Sequence, residues 1–297
     1  MNKLTAMTTF VQIVDYGSLT AAADAMDTSL PTVVRTLANL EDYLNTRLLN
    51  RTTRKLTLTE EGLAYLNRCR HILHEIEDAE LELSAQQSKP SGKLSVTASV
   101  TFGSMRLTPL VTRFLQQNDQ VKVDLILLDQ NVNLIEEGVD VAIRIGPLSD
   151  SSMIAKNVGS VRRVICGSPK LLNSLAPIKH PRDLLDVPCI RFSGLSQGAN
   201  WLFYEKDKVH AIPIKGPLSC NQLAASLSAV CEGAGLGVFL SYQVEEQLAS
   251  GELQIVLADY EPPPLPVSVV YSHAKLMSTR VRVFVDWITR ELRAQLS

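Results

Sequence analysis

The sequence predicts a small, mainly helical N-terminal unit, one long helix and a larger α/β region, and three observations carry that division. Ser18 to Arg54 reads as two short helices at a tight turn followed by a basic hairpin. Tyr65 to Leu83 repeats its apolar residues at heptad spacing. After Lys89, Pro90, Ser91 and Gly92 the pattern switches to strands alternating with helices, as in α/β layer architectures. With 297 residues, 45% of them hydrophobic, the chain has the length for a small unit plus a larger one with a sizeable core.

Each element of the N-terminal unit has a local reason. Ser18 caps a helix whose Ala21, Ala22, Ala23 and Ala25 let a second helix cross closely, and Asp27 and Thr28 supply the turn. Ser29 caps the second helix, with Pro31 in its first turn, where a missing amide hydrogen is tolerated. Val33, Leu37, Leu40 and Leu44 recur at four, three and four, the stripe a helix buries. Thr32, Arg35 and Asn39 fall on the opposite face, with Leu30, Pro31 and Val34 near the leading end. Beyond Asn50, Leu56 to Leu58 alternates like a short strand, and Arg51, Arg54 and Lys55 crowd the hairpin.

Together these features outline a winged helix-turn-helix, whose second helix enters the DNA major groove by its N-terminal part. Arg35 has the reach for a guanine edge or a phosphate, Thr32 for either, and Leu30 or Val34 for a thymine methyl. A solvated surface helix is the alternative; the alanine-rich partner helix, capped turn and basic hairpin occur together and favour DNA. The candidate contacts are Ser18, Thr20, Ser29, Leu30, Pro31, Thr32, Val34, Arg35, Asn39, Arg51, Thr53 and Arg54. The net charge of -2 does not oppose this, because Thr28 to Leu58 holds five positive residues against two negative ones.

Thr59 caps the long helix, and Glu60 and Glu61 place negative charge at its positive end. Tyr65, Cys69, Ile72, Ile76, Ala79 and Leu83 form the seam, and a helix from Glu60 to Ser88 would run about 43 Å. Residues 59–88 are therefore expected to pair with a second copy, the alternative being packing on their own chain. Residues 89–92 read as a hinge. Leu94–Ala98, Val121–Asp129 and Val139–Ile145 read as strands, Met105–Gln117 as a helix, and the sheet as mostly parallel. A second set holds the strands Val161–Cys166, Cys189–Phe192 and Gly237–Leu240 and the helix Asn221–Glu232. The strand Val267–Tyr271 and the helix Thr279–Leu296 close the chain.

The chain resembles LysR-type transcriptional regulators in MTTFVQIVDYGSLTAAADAM, in SLPTVVRTLANLEDYLNTRLLNRTTR and TLTEEG, and on through GKLSVTAS, DVAIRIG and CEGAGLGVF. It departs at Leu30 and Val34, where many members carry polar residues. The resemblance implies a winged helix-turn-helix over 1–58, a dimerisation helix over 59–88 and a hinge over 89–92. It also implies an effector-binding domain of the two-lobed periplasmic-binding-protein type II over 93–297, with lobe I over 93–160 and 266–297 and lobe II over 161–265. The implied partners are double-stranded operator DNA, a small-molecule effector, RNA polymerase, and further copies making a homodimer and then a homotetramer.

In such a fold the ligand sits between the lobes at strand ends and helix N-termini. The candidate effector contacts are Ser99, Thr101, Phe102, Arg144, Gly146, Phe192, Ser193, Asn221, Gly237 and Phe239, which would suit a small organic acid. For each hydroxyl the competing role is a cap or a turn, and for Arg144 a structural ion pair.

Other classes find little support. His71, His74, His180, His210 and His273 are scattered, and GAGLGV ends a helix instead of opening one, so no metal site, cofactor or catalytic set is expected. Met1 to Thr20 lacks an apolar core and no stretch approaches a membrane span, so a cytoplasmic protein is expected and a plain exported solute binder is not. The five cysteines form no CxxC motif, which suggests free thiols. Sensing of peroxide through Cys220 and Cys231 is the alternative to effector control, although both lie in an apolar helical pattern that suits packing thiols.

Overall fold

In the computed structural model, which describes residues 1–52, 55–84, 89–129, 137–148, 153–193, 200–206, 208–272 and 278–296, three helices open the chain. They are α1 (Lys3–Asp15), α2 (Leu19–Ala25) and α3 (Leu30–Leu44). Side chains cap all three: Asn2 accepts from Leu4 N at 3.1 Å, Ser18 from Ala21 N at 3.3 Å and Ser29 from Thr32 N at 3.4 Å. The positive φ of 48° at Asp27 makes the turn between α2 and α3. Ala22, Ala23, Val33, Leu37 and Leu40 are buried with Phe10 and Ile13 of α1.

A hairpin follows, β1 (Leu49–Thr52) and β2 (Lys55–Leu58), antiparallel with Leu49 opposite Leu58. Glu41 of α3 accepts from the amides of Leu48 and Leu49 at 2.8 and 3.2 Å, so one of the two local acidic residues anchors the hairpin. α4 (Glu60–Ser84) follows directly. The Thr59 hydroxyl donates to Arg47 O at 2.8 Å and accepts from Gly62 N at 2.8 Å, and Gly62 lies so near the chain that an added Cβ would fall 2.0 Å from Leu48 O.

The expected seam of α4 is divided. Tyr65 and Cys69 turn onto the N-terminal core with Leu66 and Leu73, and the Tyr65 ring lies 6.0 Å from that of Phe10. This corrects the reading of Tyr65 and Cys69 as dimer contacts: the N-terminal core packs against the first turns of α4, so those turns bury the stripe against their own chain. Ile72 is 39% exposed and Ile76 is half-buried. The side chains of Ala79 and Leu83 and residues 85–88 lie outside the described residues. The expected hinge is shorter than 89–92, because Gly92 already donates to Gln120 O at 3.0 Å as the first residue of a strand.

That strand, β3 (Gly92–Ala98), leads into a helical stretch in three pieces: α5 (Val100–Phe102), a π-helical segment (Gly103–Leu107) and α6 (Thr108–Gln117). There follow β4 (Val121–Leu127), β5 (Val141–Ile145), β6 (Ile154–Val161), β7 (Arg163–Gly167), α7 (Pro169–Leu172) and β8 (Arg191–Phe192). The chain continues through the hairpin β9 (Asn200–Glu205) and β10 (Lys208–Pro213), then β11 (Ser219–Cys220), α8 (Leu223–Cys231), β12 (Gly237–Leu240), α9 (Glu245–Ala249), β13 (Gln254–Val256), β14 (Leu265–Tyr271) and α10 (Thr279–Leu296).

Two lobes result. The first has a five-stranded sheet in the order β4-β3-β5-β14-β6, with α6 and α10 on the face that holds Phe114, Phe284 and Ile288. β3 runs parallel to β4 and β5, whereas β14 runs antiparallel to β5 and β6, so the sheet is mixed, not mostly parallel. The second lobe is built on β12-β7-β13, all antiparallel pairs, with the parallel pair β11-β8 and the β9-β10 hairpin beside it. The apolar run Val161–Cys166 is two strands, because the chain changes lobe at Arg162.

Gly62→Ala should destabilise the N-terminal unit by about 1–3 kcal/mol through overpacking against Leu48. Amide hydrogen exchange should then accelerate across α1–α3 and stay unchanged in the five-stranded sheet.

Candidate DNA interface and effector cleft

The leading end of α3 forms an exposed surface around an ordered cap. Thr20, Ser29, Leu30, Pro31, Arg35 and Asn39 are exposed, Ser18, Thr32 and Val34 are half-buried, and the opposite stripe Val33, Leu37 and Leu40 is buried. The helix therefore divides as its periodicity predicts. Leu30 leaves 41% of its surface exposed at the first turn, where an apolar side chain gains nothing from water. The Thr32 hydroxyl lies 2.8 Å from the Ser29 hydroxyl, so it is tied into the cap as well as facing outward. Ser18 is a cap too, which gives it a structural role beside any phosphate contact. Arg51 sits in β1 opposite Leu56; Thr53 and Arg54 lie outside the described residues.

The effector candidates fall into three groups. The first gathers at strand ends in lobe I. Ser99 follows β3 and opens the helical stretch, Thr101 is in its first turn, and Val100 N donates to Asp129 Oδ1 at 3.0 Å. Asp129 sits just past β4 and was not anticipated from the sequence; an acidic residue soon after a strand that parallels β3 is the signal that could have found it. Gly146 follows β5 with a φ of 104° and donates to Pro266 O at 2.8 Å, a backbone shape that favours glycine. Arg144 is half-buried beside Ser268 of β14, and burial lowers its pKa.

The second group gathers in lobe II, where Cys220 and Phe192 are partners in the parallel pair β11-β8. Ser193 donates to Cys220 O at 3.2 Å, which brings Ser193 beside Asn221 at the ends of those strands. Phe192 is half-buried and Asn221 exposed. Asn221 stands ahead of the α8 cap position, which Gln222 occupies, so it is not the first residue of that helix.

The third group is corrected. Phe102 and Phe239 are fully buried, the first in the lobe I core and the second in the lobe II core. Gly237 packs under Phe239, where an added Cβ would lie 2.7 Å from the ring and from Val230. These three fill cores and are not open to a ligand; their position near a strand end could not reveal which way each strand is rotated.

A cleft of about 780 Å³ opens between the N-terminal unit and lobe I, lined by Val11, Asn67 and Leu73 on one side and Ser95, Ile126 and Glu137 on the other. Two ion pairs flank it, Arg70 with Asp15 and Lys93 with Asp124. Among the described residues no cluster of metal-ligating side chains occurs, and no helix is long and apolar enough to cross a membrane.

The cysteine alternative meets a geometric obstacle. Cys220 precedes α8 and Cys231 is its last residue, so eight helical residues, about 12 Å of rise, separate two groups whose α-carbons must approach within about 7 Å to bond. Burial and the neighbouring Glu252 also push the Cys231 thiol up, while burial pushes Cys166 and Cys189 up to about 12. All five thiols are free.

A capped helix-turn-helix with a hairpin wing, joined by a long helix to a two-lobed α/β domain, defines a DNA-binding transcriptional regulator with a ligand-binding domain. Residues 4–63 match the profile of the bacterial regulatory helix-turn-helix protein, lysR family, and residues 87–293 that of the LysR substrate binding domain. The chain belongs to the LysR-type family of transcriptional regulators.

Among its relatives, a transcriptional repressor of Pseudomonas aeruginosa is 33% identical over 290 residues, spanning 97% of this chain and 92% of the relative. The transcriptional activator AaeR of Escherichia coli is 30% identical, spanning 97% and 94%. The solved structure of the LysR-type regulator CrgA from Neisseria meningitidis shares 30% identity, with a TM-score of 0.62 and coverage of 97% and 98%. Full-length AphB from Vibrio cholerae shares 27%, with a TM-score of 0.65 and coverage of 96% and 98%.

Two outcomes follow from the geometry. Arg35→Ala should weaken specific operator binding by about 1–3 kcal/mol in fluorescence anisotropy with the circular dichroism unchanged; unaltered affinity would remove Arg35 from the interface. Hydrogen peroxide should leave Cys220 and Cys231 unlinked to each other in peptide mapping, and a bridged peptide would restore the redox reading.

Proposed function

We propose that this LysR-type regulator binds its operator through the exposed leading end of α3 and the hairpin wing, and that a small organic acid bound between its lobes modulates that binding. The observation that carries the reading is the grouping of half-buried or exposed polar residues at strand ends in both lobes. Ser99 and Thr101 stand at a helix start in lobe I, and Ser193 and Asn221 stand together in lobe II. Leading helix amides are natural donors to a carboxylate, and Thr101 and Phe102 follow the one amide that Asp129 engages.

DNA contact is delivered by Arg35, Asn39 and Thr32 with Ser18, Thr20, Ser29, Pro31, Arg51, Thr53 and Arg54 at the phosphates or the wing, and Leu30 and Val34 read thymine methyls. The 1–58 unit and the 59–88 helix act in pairs. The paired stripe starts at Ile72, where the N-terminal core stops covering it, and pairs of dimers then form a tetramer. Operator DNA as the partner sets the place of action in the bacterial cytoplasm, with RNA polymerase as a further contact at the promoter.

Thermal-shift screening of small carboxylates against the full chain tests the effector half of this reading. A binding acid raises the melting temperature as its concentration passes the dissociation constant, since it binds the folded state only. A panel of aliphatic and aromatic acids that produces no shift, at concentrations up to saturation of typical regulators, would sink it.

A further inference from the structure

The C-terminal end of α3 carries an exposed aromatic that neither the core nor the helix cap explains. Tyr43 leaves 59% of its surface exposed. Arg35, Asn39 and Tyr43 follow one another at four-residue spacing, so they share one face of the helix, and all three are exposed. Val33, Leu37 and Leu40, which hold α3 to its core, lie on the other face. The Nζ of Lys3 stands 4.6 Å from the centre of the Tyr43 ring, within the reach of a cation–π contact. The two residues are far apart in sequence, and the packing of α1 on α3 brings them together.

That lysine occupies an unfavourable place. Lys3 is the first residue of α1, where the helix dipole disfavours a cation, and the first turn of α1 has no acidic residue to offset it. Asn2 caps the helix from just ahead, accepting from Leu4 N and Thr5 N at 3.1 and 3.4 Å, so the backbone that carries Lys3 is held. The last turn of α3 is itself ill suited to phosphate, since it holds Glu41 and Asp42 and no basic residue. Glu41 is engaged by the amides of Leu48 and Leu49, whereas Asp42 is exposed. A cation for that end of the helix has to come from another element, and α1 supplies one.

Length decides what this end meets on DNA. Tyr43 stands eight residues beyond Arg35, about 12 Å of helix rise, and the major groove is about 12 Å wide. A helix that enters the groove by its leading end therefore brings Tyr43 out at the sugar-phosphate edge. There the ring can hold the lysine while its ammonium keeps donors for a phosphate oxygen. We propose that Lys3, held over Tyr43, is a DNA phosphate contact, with Tyr43 as its positioning residue. The proposal rests on the reading of α3 as the DNA-facing helix. It adds the start of α1 to the interface and a positive charge from outside the basic segment Thr28 to Leu58.

Phosphate contacts are independent of base sequence, so the test needs no operator. The affinity of the full chain for a short random-sequence duplex is followed by fluorescence anisotropy from about 50 to 200 mM salt, and the slope of log affinity against log salt is read. Lys3→Gln should flatten that slope by about 0.9 for each helix-turn-helix engaged, and Lys3→Arg should keep the parent slope. Tyr43→Leu removes the ring and should lose most of the same amount, whereas Tyr43→Phe should retain it. Combining Lys3→Gln with Tyr43→Leu should add nothing to Lys3→Gln alone, because both remove one contact. A parent slope in Lys3→Gln would overturn the proposal, and so would a lowered melting temperature at an unmoved slope, the mark of a stabilising surface pair. A parent slope in Tyr43→Leu would overturn the positioning role of the tyrosine. A parent protein without salt-dependent affinity would sink the DNA-facing reading of α3 and this contact with it, an outcome distinct from a parent that binds and a Lys3→Gln variant that matches it.

Discussion

The orientation of the whole molecule depends on the contact between Gly62 and the backbone of Leu48. α3 carries the exposed leading end of the helix-turn-helix, the hairpin starts at Leu49, and α4 follows that hairpin after Thr59 alone. Backbone against backbone is the stiffest way to set its direction. The Thr59 hydroxyl closes the same joint from both sides, and Glu41 ties α3 to the hairpin start. Any side chain at Gly62 would push α4 away from the wing, and the error would grow along the roughly 38 Å of the helix.

The division of labour along α4 follows from how far the N-terminal core reaches along it. Eleven residues are three turns to within about 20°, so Tyr65 and Ile76 share one face of the helix and differ only in what covers them. Here the first half of the stripe is used to complete the N-terminal core, since Leu66, Cys69 and Leu73 cover Phe10 and its neighbours. The small unit is therefore incomplete without the start of its linker. The motion of one reaches the other without any additional contact.

Much of this was legible in the sequence because it is written in local chemistry. Caps at Ser18 and Ser29, the buried stripe of α3, the strand at Leu94–Ala98 and the closing helix Thr279–Leu296 each rest on neighbours within a turn or two. What was illegible depends on distant chain. The helical stretch begins at Val100, not Met105, because Gly103 sits against Leu127, where a Cβ would lie 2.1 Å from its side chain, and a glycine in sequence reads as a break. The strand Ile154–Val161 was missed because Lys156, Asn157 and Gly159 interrupt its apolar pattern; β14 supplies the pairing that the pattern hides. Phe102 and Phe239 sit near strand ends, as cleft residues do, yet only packing decides that both face inward.

Direction of control is a property the architecture leaves free, since relatives of nearly equal identity carry the names repressor and activator. Both outputs can arise from one device if the effector alters the relation between lobes and the pairing of subunits converts that into a spacing on DNA. The two lobes of this chain are joined by two crossings, and the Arg162–Glu261 pair fixes the crossings to each other. The Arg106–Glu245 pair is a further polar contact between the lobes. That pair is partly open to water, where such contacts contribute little net stability, so it suits a joint that has to open at small cost. The firm parts of the molecule are backbone joints and cores; the adjustable part is a short set of side chains between two lobes.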